Sequence, residues 1–82
     1  MEKQPIADEI RINRDVVELL LIAHGISKLR VAEIAGVPKF TVAKVLHNRV
    51  GVHPDKRMAV LRAIAGLTGR DPEALVMGRL AA

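Results

Sequence analysis

The stretch from Lys28 to His47, KLRVAEIAGVPKFTVAKVLH, constrains this chain most, because an Ala-Gly-Val-Pro break separates two apolar runs of helical spacing. Val31, Ile34 and Ala35 recur along the first run, and Val42, Val45 and Leu46 along the second. A glycine just past a helical run can take the left-handed conformation that ends it, and Pro38 discourages continuation, so a turn is predicted at Gly36. Two helices that cross steeply over so short a turn need a small side chain at the crossing. Ala32 stands in that place.

Opposite the valines of the second run lies a different stripe. Lys39, Phe40, Ala43, Lys44 and His47 fall at i, i+1, i+4, i+5 and i+8, which puts them on one side of a helix. Phe40 is the only aromatic residue of the protein. A lone phenylalanine is usually buried, but its position on this stripe favours exposure. An outward helix of this composition, propped by a first helix across a glycine turn, has the form of a DNA recognition helix. Lys39 and Lys44 can donate to guanine O6 and N7, Phe40 can pack on thymine methyls, and His47 can reach a phosphate or a base edge.

The charge follows the same division. From Lys28 to Arg62 there are eight basic residues against two acidic, a balance of +6, whereas residues 1 to 18 carry three basic against five acidic, or −2. Basic charge is thus gathered on the motif and the segment after it, as a phosphate-binding surface requires. With 82 residues the chain has length for one domain. It has no cysteine, which excludes disulfides and cysteine-ligated zinc. No apolar run approaches a membrane span and the first fifteen residues are charged, so a cytoplasmic location is expected.

The segment VAEIAGVPKFTVAKVLHNRVGVHPDKRMAVLRAIAGL resembles the DNA-binding region of the lactose-repressor family. The matching residues are Val31, Ala32, Ala35, Gly36, Val37, Thr41, Val42, Val45 and Leu46, then Arg49, Gly51, Val52, Pro54, Arg57, Val60, Leu61 and Ile64. Pro38 departs from the family, which has Ser or Thr there as a helix cap. That family lacks a preceding helix, whereas phage-repressor-like domains have one. The resemblance therefore implies an all-α, compact five-helix domain like that of the lambda repressor, with the helix-turn-helix at helices two and three. It also implies that Ser27, Lys28, Thr41, Asn48, Arg49, His53 and Lys56 lie beside DNA phosphates, as positioning contacts and not sequence readers.

In chain order, residues 1 to 7 read as a loose tail, and a single domain is expected over 8 to 82. A first helix begins between Asp8 and Asn13, either of which can cap it, and runs to His24 with Gly25 closing it. Its apolar residues Val16, Val17, Leu19, Leu20, Leu21 and Ala23 cover more than one face. Ser27 is a cap for the second helix and also a candidate phosphate contact. Pro54-Asp55 opens a fourth helix with Val60, Leu61, Ile64 and Leu67 on its apolar side. Arg57 is either a phosphate contact or a salt-bridge partner for an acid of the first helices. Asp71-Pro72-Glu73 signals a fifth helix over 72 to 80, whose Leu75, Val76, Met77 and Leu80 form either a two-fold homodimer contact or a lid on the core.

These readings point to binding of double-stranded operator DNA, without catalysis, cofactor, metal or a small-molecule effector domain. A homodimer would hold two recognition helices about 34 Å apart on an inverted repeat. Two rivals are an antitoxin or adaptor that mainly holds a partner protein, and a small hydrolase built on His24, His47 and His53. The hydrolase lacks a paired nucleophile and the chain length to form a pocket.

Overall fold

Asn13 converts strand into helix: its side-chain oxygen accepts from the Val16 N–H at 3.3 Å, capping the first helix. The computed structural model of the chain describes residues 10–49 and 51–79. Among these, a strand β1 (Ile10–Ile12) precedes four helices, α1 (Arg14–Ala23), α2 (Lys28–Ala35), α3 (Lys39–Leu46) and α4 (Pro54–Thr68). A 3-10 turn (Pro72–Leu75) then leads into β2 (Val76–Arg79). The protein is mostly helical and compact, and no helix of the described residues is long and apolar enough to cross a membrane.

α4 is the element on which the others converge. It packs against α1, α2, α3 and the 3-10 turn, and its Val60, Leu61 and Ile64 are fully buried. Val17, Leu20 and Leu21 of α1, Val31 and Ala32 of α2, and Val42 and Val45 of α3 complete the core around it. Full burial of each Val, Leu or Ile is worth roughly 1.5 to 3 kcal/mol, far more than the intrinsic helicity of eight-residue helices such as α2 and α3. Tertiary packing therefore makes these helices, and propensity only permits them.

The turn at Gly36 forms as expected. Gly36 has φ 72°, and both its own N–H and that of Val37 donate to the Ala32 carbonyl, at 2.8 and 3.2 Å. A β-carbon in that conformation is strained, which is why a glycine ends α2. Ala32 is buried at the crossing. Ile34, expected on the inner side, is instead exposed. The inner stripe consists of Val31, Ala32 and the half-buried Ala35, and Ile34 lies beyond its edge.

The C-terminal stretch departs from expectation. The cap-and-proline signal at Asp71-Pro72 holds for one 3-10 turn only, and the chain then pairs antiparallel with β1 through Ile10↔Arg79, Arg11↔Gly78 and Ile12↔Val76. A bulge between Arg11 and Ile12 adjusts the register, and the Asn13 N–H donates to the Leu75 carbonyl at 2.8 Å. The physical reason is that β-branched Val76 and Gly78 are poor helix formers in a segment too short to nucleate alone, while β1 offers a ladder. Four helices and a two-stranded sheet thus replace the five-helix, all-α arrangement. Leu75 is fully buried in the core of its own chain, which removes it from the expected dimer contact, and Val76 packs half-buried against the same core. Met77 belongs to β2; Leu80 and the expected tail over 1 to 7 lie outside the described residues.

Leu75→Ala is accordingly expected to lower stability in urea unfolding by about 2 to 5 kcal/mol, the range for truncating a buried leucine. A leucine at a dimer helix would instead change association and leave the unfolding of the monomer unaltered.

Candidate nucleic-acid interface

Helix α3 has two sharply different sides. Thr41, Val42 and Val45 face the core, whereas Lys39, Phe40, Lys44 and His47 are exposed with Ala43 half-buried between them. Phe40 is 64% exposed, against the usual tendency of phenylalanine. The cause is rotational: valines three residues apart fix which side of α3 meets α4, and Phe40 lies on the other. The Lys44 ammonium sits 5.7 Å from the centre of the Phe40 ring, within cation–π range, so the two form one ordered unit at i and i+4. Thr41, expected at a phosphate, is buried by the same rotation, and its hydroxyl is withdrawn from the outer surface.

Asn48 fixes where α3 ends. It adopts φ 56°, its N–H donates to the Val45 carbonyl and the Arg49 N–H to the Lys44 carbonyl, at 3.0 and 2.9 Å. This is the pair of bonds that closes a helix on a left-handed residue, a conformation asparagine tolerates better than most. Its side chain then reaches across the fold: Oδ1 accepts from the Ile12 N–H at 2.9 Å and Nδ2 donates to the Ile12 carbonyl at 3.2 Å. An amide expected to touch phosphate is therefore committed to β1. Arg57 is likewise structural, buried with one guanidinium nitrogen donating to the Arg49 carbonyl at 2.6 Å. Its burial removes it from the candidate phosphate contacts.

The clasp between Asn48 and Ile12 brings two further cations beside α3. Arg14 Nη2 donates to His47 Nδ1 at 3.3 Å, and Arg11 and Arg14 border the same groove as His47 and Asn48. Lys28, at the start of α2, lines a small cavity with Arg14 and His47. Arg11 and Arg14 escaped the sequence reading because residues 1 to 18 carry a net negative charge. The clasp that recruits them spans a separation of 36 residues, and no local pattern marks it. Asp15 and Glu18 border the groove on the α1 side and limit the basic surface there.

The remaining positions divide between helix caps and open surface. The Ser27 hydroxyl accepts from the Arg30 N–H at 3.1 Å as the cap of α2 and is exposed, while Arg49 and Lys56 are exposed on the connector and on α4. His53 caps α4, its Nδ1 accepting from the Asp55 N–H at 3.1 Å. Among the described residues no group of three or more His, Cys, Asp or Glu side chains is arranged to hold a metal ion. The chain matches no protein-family model, no curated protein and no solved structure.

Asn48 yields a graded test. Asn48→Gly keeps the left-handed turn and loses both bonds to Ile12, and is expected to cost about 1 to 3 kcal/mol in urea unfolding. Asn48→Ala adds the left-handed penalty of roughly 1 to 2 kcal/mol. A residue serving phosphate alone would leave Asn48→Gly as stable as the parent, with only the left-handed penalty appearing in Asn48→Ala.

Proposed function

We propose that this chain is a small sequence-specific DNA-binding protein of the helix-turn-helix kind, acting in the cytoplasm as a transcriptional regulator that represses by occupying a promoter. The observation that carries this reading is the outer side of α3. Exposed Lys39, Phe40, Lys44 and His47 project from a helix whose opposite side is locked into the core. An exposed aromatic ring with an ammonium above it is a poor solvent-facing surface and a good base-contacting one.

In this reading α3 enters the major groove. Lys39 and Lys44 donate to guanine edges, Phe40 packs on thymine methyls, and His47 contacts a base edge or phosphate at the far end. The Ser27 hydroxyl, Lys28, Arg49, His53 and Lys56 hold the flanking phosphates, and Arg11 and Arg14 join them from the other flank. Two copies on an inverted repeat, with recognition helices about 34 Å apart, give the register that one eight-residue helix lacks. The resemblance of residues 31 to 67 to the lactose-repressor family supports the same mode of docking, and so does the +6 balance from Lys28 to Arg62.

Selection of bound duplexes from a random pool tests the reading directly and returns half-site, spacing and symmetry. On the selected site, Lys39→Ala and Phe40→Ala are each expected to lose about 1 to 3 kcal/mol of discrimination against random DNA, with unfolding unchanged. Arg14→Ala, Arg49→Ala and Lys56→Ala are expected to weaken both kinds of binding alike and to flatten the salt dependence in competition gel shifts. A pool that yields no enriched sequence removes the proposal.

A further inference from the structure

The outer side of α3 brings an aromatic ring and an ammonium to one place. Phe40 and Lys44 stand one helical turn apart, and the Lys44 Nζ lies over the exposed ring, 5.7 Å from its centre. A lysine head is ordinarily carried away from its own helix into water, whereas here the negative face of the ring holds it. Between the two on the stripe stands only the half-buried Ala43. No larger side chain therefore separates the pair from a surface that the helix approaches.

We infer that Phe40 and Lys44 act as a single reader of one pyrimidine C5-methyl group together with the N7 and O6 acceptors of a guanine beside it. The coupled contact rests on the DNA-binding reading and deepens it, because its apolar half requires a methyl group and its polar half fixes what must neighbour that methyl. Base pairs are stacked about 3.4 Å apart, so two heads held 5.7 Å from each other meet one pair or two adjacent pairs. The ring edge and the ring face turned from the ammonium are apolar, and the apolar group that a base presents in the major groove is the pyrimidine methyl. The ammonium only donates, so it requires acceptors, and guanine supplies two together. Unmodified cytosine serves neither half: it lacks the methyl, and its N4 amino group is itself a donor. Two sources carry the required chemistry, a thymine stacked next to a guanine and a 5-methylcytosine paired with its own guanine.

Equilibrium gel shifts of the full chain on the duplex selected from the random pool test the reader by changing single groups of the DNA. Deoxyuridine in place of the contacted thymine removes the methyl and keeps every hydrogen bond, and is expected to weaken binding about fourfold, the worth of one buried methyl group. Phe40→Ala is expected to bind the two duplexes alike. Replacing the neighbouring guanine by 7-deazaguanine, which has carbon in place of N7, is expected to weaken the parent and to leave Lys44→Met unaffected. Lys44→Met is also expected to shrink the deoxyuridine effect, since its ring has lost the ammonium that orders it. Both side chains are exposed, so the variants are expected to melt with the parent. In a second arm, cytosine or 5-methylcytosine takes the thymine position: a gain with the methylated base extends the reader to methylated cytosine, and no gain assigns it to thymine. A parent indifferent to deoxyuridine at every thymine of the site, a deoxyuridine effect that survives Phe40→Ala, or a site with no guanine within one base pair of the sensitive thymine overturns the inference. Each of those results still leaves an enriched sequence, and with it the DNA-binding reading; a pool that enriches nothing removes both.

Discussion

Val42 and Val45 are fully buried in the core that α3 shares with α2 and α4, and from their burial follows where every other side chain of α3 can point. The helix is eight residues long and its N-terminal cap, Pro38, makes no side-chain hydrogen bond. A segment of that length is not helical alone in water. It is helical here because two β-branched residues three apart are buried together in the common core with α2 and α4, which fixes a single rotation. Phe40, Lys44 and His47 are outward as a consequence, and loosening that packing would blur the outer surface along with the core.

Two polar side chains hold the ends of this arrangement, and each satisfies a main-chain group that packing alone would strand. Asn48 serves Ile12 with both its donor and its acceptor, so the end of α3 and the strand β1 cannot separate without exposing four hydrogen-bonding groups. Arg57 serves the Arg49 carbonyl and draws the connector onto α4. The outer cations Arg14 and Arg49 are thereby fixed on either side of the α3 terminus by residues that are themselves inward. The same principle explains why sequence alone assigns Asn48 to phosphate and leaves two roles open for Arg57: a polar residue in a basic stretch is indistinguishable from a ligand contact until its burial is known.

The helical core was legible because it is written in short-range patterns. Glycine at 36, the capping residues Asn13 and Ser27, Pro54 at the start of α4 and the valines of α3 each act within one or two turns, and each stands where the pattern puts it. The sheet was illegible for the opposite reason. Ile10–Ile12 and Val76–Arg79 are strands only because they meet, and an alternation of three residues in β1 is too short to announce a strand. Pro72 gave a valid start signal with nothing behind it to continue the helix. The outward stripe of α3 was readable from geometry alone, but its extension to Arg11 and Arg14 depends on the long-range clasp at Asn48.

The exposed apolar residues separate by the charge of their neighbours, and that separation assigns them different roles. Phe40 stands among Lys39, Lys44 and His47, while Leu19 and Ile22 stand beside Asp15 and Glu18. A polyanion accepts the first setting and is repelled by the second, because phosphates lie within a Debye length of any side chain that reaches a groove. The α1 surface therefore cannot share the proposed DNA contact however close the two lie in the fold. Lys28 and Arg14 lie at the junction of the two regions, both lining the cavity that Glu18 and His47 share.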